Sequence, residues 1–197
     1  MPLEIKIKGD NMSQNDSLVR VGVTGDVYMA PVGTALPTTP TAALNAAFKS
    51  VGHVSLDAIV EGFSVTSERI RSWQKKGGVR SVVTEYDWTF QFVAMETSPL
   101  VLELFYGGAE SDTAAGVSTT TITADVNTVA KACVIDVIDG DIYTRYAIPV
   151  VEVSDRGDTP INGSSATERD LTISISGDET ALGYRYTNDP AFAALAS

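Results

Sequence analysis

The feature that most constrains the fold is an alternation of aromatic and polar residues across positions 79–96, VRSVVTEYDWTFQFVAME. Side chains at every second position of a β-strand lie on the same face. One face would carry Val82, Thr84, Tyr86, Trp88, Phe90 and Phe92, and the other Val83, Glu85, Asp87, Thr89 and Gln91. A helix of this length would bury carboxylates together with the aromatic rings. The stretch therefore predicts a long strand with one core face and one solvent face.

Other segments predict shorter strands. They are 26–32, 51–55, 62–67 (separated from the preceding strand by a turn region at 57–62), 130–153 and 168–176. Residues 130–153 read as a hairpin with a type I′ turn at Asp139-Gly140, a dipeptide that suits two positive φ angles. Pro149 has no N–H to donate, which predicts an edge strand or a bulge at that position.

One helix is predicted across residues 99–106. Ser98 is a suitable N-cap, Pro99 suits the first turn, and the glycine pair at 107–108 ends the helix. A brief helix at 41–48 and a last helical turn in the tail are weaker expectations, and residues 109–120 read as a loop. We therefore predict a mainly β protein, a sandwich or partial barrel with one flanking helix. One domain at 25–190 would carry an amino-terminal arm (1–24) and a tail (191–197).

Charge and composition exclude several classes of protein. The formal net charge of −11 argues against a surface that neutralises nucleic-acid phosphates. No stretch has the roughly 20 apolar residues of a membrane span, and the amino terminus lacks a signal-peptide pattern. These features favour synthesis and retention in a cytosol.

Candidate catalytic groups are few. Cys133 and His53 are the only cysteine and the only histidine, so neither a zinc site nor a disulfide can form within the chain. A Cys133–His53 pair would be the basis of a cysteine-dependent hydrolase, but Cys133 lies in an apolar run where a buried structural thiol is the ordinary interpretation. We expect no enzyme activity and no cofactor.

A basic cluster surrounds Trp73 in the segment 68–80. Its members are Arg69, Arg71, Lys75, Lys76 and Arg80, five of the fourteen basic residues of the chain. The cluster could be a solvated hairpin loop, a nucleic-acid site in which Trp73 stacks on a base, or a loop that docks on an acidic surface of another copy. The acidic background favours docking over DNA binding.

Three segments in the first half of the chain resemble the major tail tube protein of long-tailed bacteriophages, siphophages of the actinobacteriophage type. They are GDVYMAPVGTALPTTPTAALNAAFKSVGHVS, IRSWQ followed by VRSVVTEYDWTFQF, and ETSPLVLELFYGG. The resemblance spans about residues 25–108 and depends on the order of these pieces.

The resemblance implies a β-sandwich with a flanking helix that assembles as hexameric rings stacked around a tape-measure protein. It also implies tail terminator and distal tail proteins as partners, a location in the virion tail after synthesis in the host cytoplasm, and passage of DNA through the lumen. The segment around Trp73 would reach the adjacent ring, and the arm and tail would contact neighbouring subunits.

The strand patterns suggest how such a lumen could let DNA slide. Carboxylates on polar strand faces would repel phosphates, and the candidates are Glu85, Asp87, Glu168 and Asp170. The alternative is that these faces point outward to bulk water. A carbohydrate-binding or adhesin sandwich remains an alternative function, and it predicts an aromatic platform on a stable monomer.

Overall fold

The computed structural model describes residues 18–73, 75–108, 110–122, 129–164 and 166–193. Within these ranges the chain forms mainly strands, in the order β1 Thr24–Pro31, β2 Lys49–Ser50, β3 Val54–Ser72, β4 Lys75–Ala94, α1 Pro99–Tyr106, β5 Glu110–Ala114, β6 Val117–Thr121, β7 Lys131–Asp139, β8 Ile142–Arg156, β9 Arg169–Ile175, β10 Tyr184–Thr187 and α2 Pro190–Ala193. The predicted fold class, mainly β with a flanking helix, is confirmed.

The main sheet is antiparallel and has the strand order β2-β1-β7-β8-β9-β4-β3, with β10 also paired to β8. The long strand β8 changes neighbours along its length: β10 pairs with 144–147 and β9 with 151–156. Between these two stretches the β7–β8 register shifts, so that two residues of β8, Pro149 and Val150, oppose Ala132. The predicted bulge at Pro149 is therefore confirmed. The sheet stays open and does not close into a barrel.

The main core lies between the inward faces of the sheet and helix α1. Its largest buried side chains come from every central strand and from the helix: Met29, Phe90, Phe92, Leu104, Ile135, Ile148, Leu171 and Ile173. In β9 the burial alternates strictly, as predicted, because Leu171, Ile173 and Ile175 face this core. Burial of these apolar faces is the main force that holds the layers together.

A second, smaller core covers the outer face of β1 and β7. Phe48 packs there against Ala30, Ala132 and Val134, with partly buried Leu36 and Leu44 beside it. The segment between β1 and β2 thus lies over this side of the sheet.

Helix α1 has the predicted bounds and the predicted ends. The Oγ atom of Ser98 accepts a hydrogen bond from the N–H of Val101 at 3.3 Å. Gly107 adopts the left-handed conformation (φ 71°) and ends the helix, a conformation that suits glycine.

Three predictions of secondary structure were wrong. Residues 51–55 and 62–67 do not form two strands with a turn between them, because the single strand β3 includes the end of the first segment and all of the second. The pairing of β3 with β4 is irregular between Val54 and Ile59. Gly62 lies inside the strand, where a Cβ atom would come within 2.7 Å of the Oγ1 atom of Thr89. Close approach of a neighbouring side chain, not a turn, requires this glycine.

The second wrong prediction is a helix at 41–48, which the structure does not contain. Carbonyl groups of this segment instead face a buried side chain: Arg145 Nη1 donates to the oxygen of Ala42 at 2.6 Å. The third is the loop at 109–120, which is the hairpin β5–β6. Its turn residues Ala115 and Gly116 both have positive φ (53° and 79°), the type I′ pattern.

The β7–β8 hairpin forms as predicted, but its turn is displaced by one residue. Asp139 pairs with Ile142, so Gly140 and Asp141 are the central residues. Among these two only Gly140 has a positive φ (59°). A glycine with positive φ at the first central position is typical of a type II′ turn rather than type I′.

The two-faced strand predicted at 79–96 is real, but its core face is shorter than expected. Phe90 and Phe92 are buried and Trp88 is partly buried, whereas Val82, Thr84 and Tyr86 are exposed. The cause is the sheet topology: β9 pairs with β4 only from Thr89 to Ala94. The remainder of β4 lies outside the sandwich.

Candidate assembly surfaces

The most prominent surface feature is a two-stranded extension formed by β3 and β4. Their pairing continues from Phe63↔Trp88 to Ser72↔Lys75, beyond the last contact with β9. At about 3.3 Å per strand residue, residues 64–72 extend roughly 30 Å from the body. We call this extension, residues 63–88, the projecting hairpin.

One face of the projecting hairpin continues the core face of the sheet and remains apolar. Trp88 pairs with Phe63, and Tyr86 pairs with Val65, so these four side chains follow one another on the same side. Trp88 is held by a hydrogen bond from its Nε1 to Glu61 Oε1 at 2.9 Å and by ring contacts with Phe90 and Tyr146. Phe63 and Tyr86, in contrast, are 63% and 57% exposed. An apolar surface therefore leaves the core and stays uncovered.

The tip of the projecting hairpin carries the basic cluster. The predicted loop at 68–80 is largely strand, with Trp73 in the turn after β3. The structure brings together Arg69, Arg71 and Arg80, which are all exposed, and Trp73, which is 98% exposed. The side chains of Lys75 and Lys76 lie outside the described part of the molecule. Register shifts on both sides of Arg71 make the tip irregular.

Three of the four carboxylates predicted to share a surface lie on the polar face of β4 and β9. The Oγ atom of Ser174 donates to Asp87 Oδ1 at 3.1 Å, and Gln91 Nε2 donates to Asp170 Oδ2 at 2.8 Å. Glu85 lies two residues from Asp87 and hence on the same face. Glu168 precedes β9 and is half-buried, and among the described residues it shares no hydrogen bond with the other three.

Two further carboxylates extend this polar face, and the sequence predictions missed them. Glu152 pairs with Ser174, and Asp155 pairs with Thr172. The alternation of Glu152 with the buried Val151 and Val153 was the available signal. The positions on this face from Asp87 to Val93 in β4, from Glu152 to Asp155 in β8 and throughout β9 carry no Lys or Arg. We call the surface formed by Glu85, Asp87, Glu152, Asp155 and Asp170 the acidic face.

The described ends of the domain are joined to each other. Arg20 donates two hydrogen bonds to the carboxylate of Asp189, from Nε at 2.7 Å and from Nη2 at 2.8 Å. These bonds hold the pKa of Asp189 below its usual range. The Val23 N–H donates to the oxygen of Ile138 at 3.0 Å, so the chain before β1 continues along β7. Residues 1–17 and 194–197, which the arm and tail predictions include, lie outside the described residues.

Cys133 and His53 do not form a catalytic pair. Cys133 is fully buried in β7, and burial raises the pKa of its thiol. The His53 side chain is 88% exposed and lies 3.8 Å from Glu96 Oε1. Across the described ranges no group of three His, Cys, Asp or Glu residues is placed to hold a metal ion, and no helix is long and apolar enough to cross a membrane.

Comparison with known proteins decides the family. A phage tail tube protein family matches residues 12–196. The chain belongs to the phage tail tube protein family. The match includes the later hairpin and β9, which lie beyond the resemblance seen at 25–108. Members of the family are structural and not enzymatic, so the protein is a structural component of the virion tail.

The other comparisons add little to this assignment. No curated protein matches the chain. Among solved structures, a chain in the cryo-EM structure of the anti-feeding prophage (AFP) baseplate, 6-fold symmetrised, is similar with a TM-score of 0.42 and 11% identity. The similarity covers 86% of this chain and 95% of that chain. It is too weak to support an argument about function.

Proposed function

We propose that this tail tube protein assembles into hexameric rings that stack into the tube of a siphophage tail, through which DNA is ejected. A tape-measure protein would occupy the growing tube, and tail terminator and distal tail proteins would bind its two ends. The structural feature that best supports the proposal is the projecting hairpin.

The projecting hairpin needs a partner for physical reasons. An isolated two-stranded ribbon is marginally stable in water, and this one exposes Phe63, Val65 and Tyr86 on a single face. Contiguous exposed apolar patches of this kind mark interaction sites. In a tube built from one kind of subunit, the surfaces next to each subunit belong to other copies of the same chain. Contact with them would cover the apolar face and stabilise the ribbon.

The acidic face is our candidate for the wall of the lumen. The opposite outer side of the sandwich, over β1 and β7, is covered by the segment that contains Leu36, Leu44 and Phe48. The acidic face has no such cover in the described structure. A channel lined with carboxylates and free of basic groups would repel phosphates, so that DNA slides without being gripped. Glu168, which directly precedes β9 two residues before Asp170, would lie at the edge of this wall.

The role of the hairpin tip can be tested by removing its charges. Arg69, Arg71, Lys75 and Lys76 would be replaced together by Ser. We expect a folded subunit with an unchanged far-UV spectrum that no longer forms tubes in electron micrographs. Arg185→Ser removes a guanidinium outside the tip that lies over the rings of Tyr146 and Phe192; it is the control and should assemble normally. Full-length tubes from the quadruple variant would show that the tip is only a solvated turn.

The lumen can be tested by chemical labelling of assembled tubes. Glu85→Cys places a thiol on the acidic face, and Ala43→Cys places one on the exposed covering segment of the opposite side. The native Cys133 is buried and should not react. A small maleimide should label both variants, whereas a bulky polymer maleimide should label only Ala43→Cys. Equal labelling of Glu85→Cys by the bulky reagent would place the acidic face on the outer wall.

A further inference from the structure

The projecting hairpin and helix α1 lie at opposite ends of the subunit. Strand β4 runs from the hairpin tip at Lys75 to Ala94, where it pairs with Val54 and Arg169. Helix α1 begins five residues later at Pro99. We call the end that contains α1 the helix pole. A copy translated along the hairpin direction would therefore present its helix pole to the tip.

A groove of about 840 Å³ opens at the helix pole. Its walls come from the end of β1, the chain before β2, the start of α1 and strand β5. Apolar side chains form much of the lining, with the ion pair of Lys131 Nζ and Glu103 Oε1 (2.7 Å) at one side. The apolar lining residues used below are Met29, Pro31, Ala47 and Leu100, and Ser111 of β5 completes the wall. The volume of the groove exceeds that of a single aromatic side chain.

The charge at the helix pole is opposite in sign to the charge of the hairpin tip. Exposed carboxylates surround this pole: Glu96, Asp112, Asp155 and Asp158. Most of its basic groups are already engaged within the subunit. Lys131 is paired with Glu103, Arg156 Nε donates to the oxygen of Leu104 at 3.3 Å, and Arg169 is 7% exposed. Lys49 is the exposed exception among the described residues that line the groove.

We infer that the groove beside α1 is the acceptor for the hairpin tip of a second copy stacked head to tail, with Trp73 inserted between Met29, Leu100 and Ser111. Arg69, Arg71 and Arg80 of the inserted tip would face the carboxylates around the pole. Burial of a Trp side chain removes on the order of 200 Å² from water, and an aromatic flanked by Arg is the usual composition of an interface anchor. A head-to-tail contact between different surfaces continues without closing when successive copies are displaced along one axis, which is the geometry that a tube requires.

This inference rests on the proposed stacking function. A photocrosslinking experiment distinguishes a wrong acceptor site from a failure of stacking itself. Trp73 would be replaced by p-benzoylphenylalanine, which keeps an aromatic ring at the tip, and wild-type and substituted protein would be assembled side by side. After irradiation of tubes, mass spectrometry should find position 73 joined to peptides that contain 29–31, 47–50 or 98–111 of another copy. Tubes that crosslink only to other regions would overturn the acceptor but not the stacking. Wild-type protein that never forms tubes would overturn both.

A second variant tests the groove while leaving Trp73 in place. Ser111→Trp should fill the groove with the protein's own indole, so that subunits or single rings form but tubes do not. Val117→Trp is the matched control, because Val117 is exposed and pairs with Ala114, which lies on the opposite side of the β5–β6 hairpin from Ser111. It should assemble with at most a small loss. Normal tubes from Ser111→Trp would exclude the groove as the acceptor.

Discussion

Arg145 shows how one buried charge organises a whole side of the molecule. It donates to both carboxylate oxygens of Asp136 across the β7–β8 pair, each at 2.6 Å, and to the oxygen of Ala42. These hydrogen bonds raise the pKa of the guanidinium. The same side chain therefore joins two strands and fixes the segment that covers them. The two residues face each other because the hairpin register pairs them.

Loss of this buried pair should destabilise the subunit strongly. Asp136→Asn leaves the Arg145 charge buried without its counter-charge, a change that costs roughly 3–5 kcal/mol. The free energy of unfolding, measured by denaturant titration, should fall by about this amount. Asp141→Asn alters an exposed carboxylate near the turn of the same hairpin and should change stability by less than about 0.5 kcal/mol. Equal effects in the two variants would contradict the role assigned to Arg145.

The bond between Arg20 and Asp189 should make attachment of the domain's two ends sensitive to acid. The pKa of Asp189 is lowered in the folded protein, chiefly by the hydrogen bonds from Arg20. A lowered carboxyl pKa contributes stability that is present above the ordinary value of about 4 and is lost as the pH falls through the folded value.

Amide hydrogen exchange of residues 18–23 tests this prediction. Protection of these residues should decrease below about pH 4 relative to that of β7. In Asp189→Asn protein the protection should be low at neutral pH and should show no further change on acidification. An acid-dependent loss of protection that persists in Asp189→Asn would assign the effect to another group.

At the scale of elements, the sequence correctly predicted those helices and strands whose ends are set by residues close to them in the chain. Helix α1 depends on a cap, a proline and a terminal glycine, all within a few residues, and its bounds were correct. Buried and partly buried side chains alternate along β9, because the strand lies between β8 and β4 and turns one face to the main core. The sequence did not predict the continuous strand β3, because Gly62 was interpreted as a turn residue. In the structure this glycine instead leaves room for the side chain of Thr89. The short strand β10 was not predicted, since its place is set by pairing with the distant β8.

The projecting hairpin was only half visible in the sequence. The alternation from Val82 to Phe92 correctly predicted a long two-faced strand. It could not show where the sandwich ends, because that depends on how far β9 extends along β4. The basic cluster was recognised from composition, but its position at the tip of a long ribbon is a property of the register between β3 and β4. On the acidic face, the sequence identified Glu85, Asp87 and Asp170 but not their neighbours from β8.

The apolar face of the projecting hairpin should matter for assembly more than for folding. Phe63→Ser combined with Tyr86→Ser removes two exposed rings, and exposed positions usually contribute within about 0.5 kcal/mol each. The thermal midpoint of the subunit should therefore change little, while tube formation, followed by light scattering, should be lost. Ser64→Ala with Thr66→Ala, on the polar face of the same strand, is the control and should assemble. A large fall in the thermal midpoint of the Phe63/Tyr86 variant would show that the rings support the fold itself.

At the scale of the whole molecule, charge separation connects folding to function. The chain carries a net charge of −11, yet five of its fourteen basic residues lie at the tip of the projecting hairpin, while carboxylates occupy the acidic face and the helix pole. Such an arrangement keeps single subunits soluble through mutual repulsion and still gives them a complementary head-to-tail contact. Raised ionic strength should weaken exposed attractions of this kind.

Electron microscopy of the concentrated wild-type protein tests the central claim of stacked-ring assembly most directly. The protein would be examined alone and after addition of short tubes as seeds. Stacked-ring assembly predicts hollow tubes with a regular axial striation, which lengthen from the seeds. A protein that remains monomeric at every concentration, with seeds and without them, would contradict it.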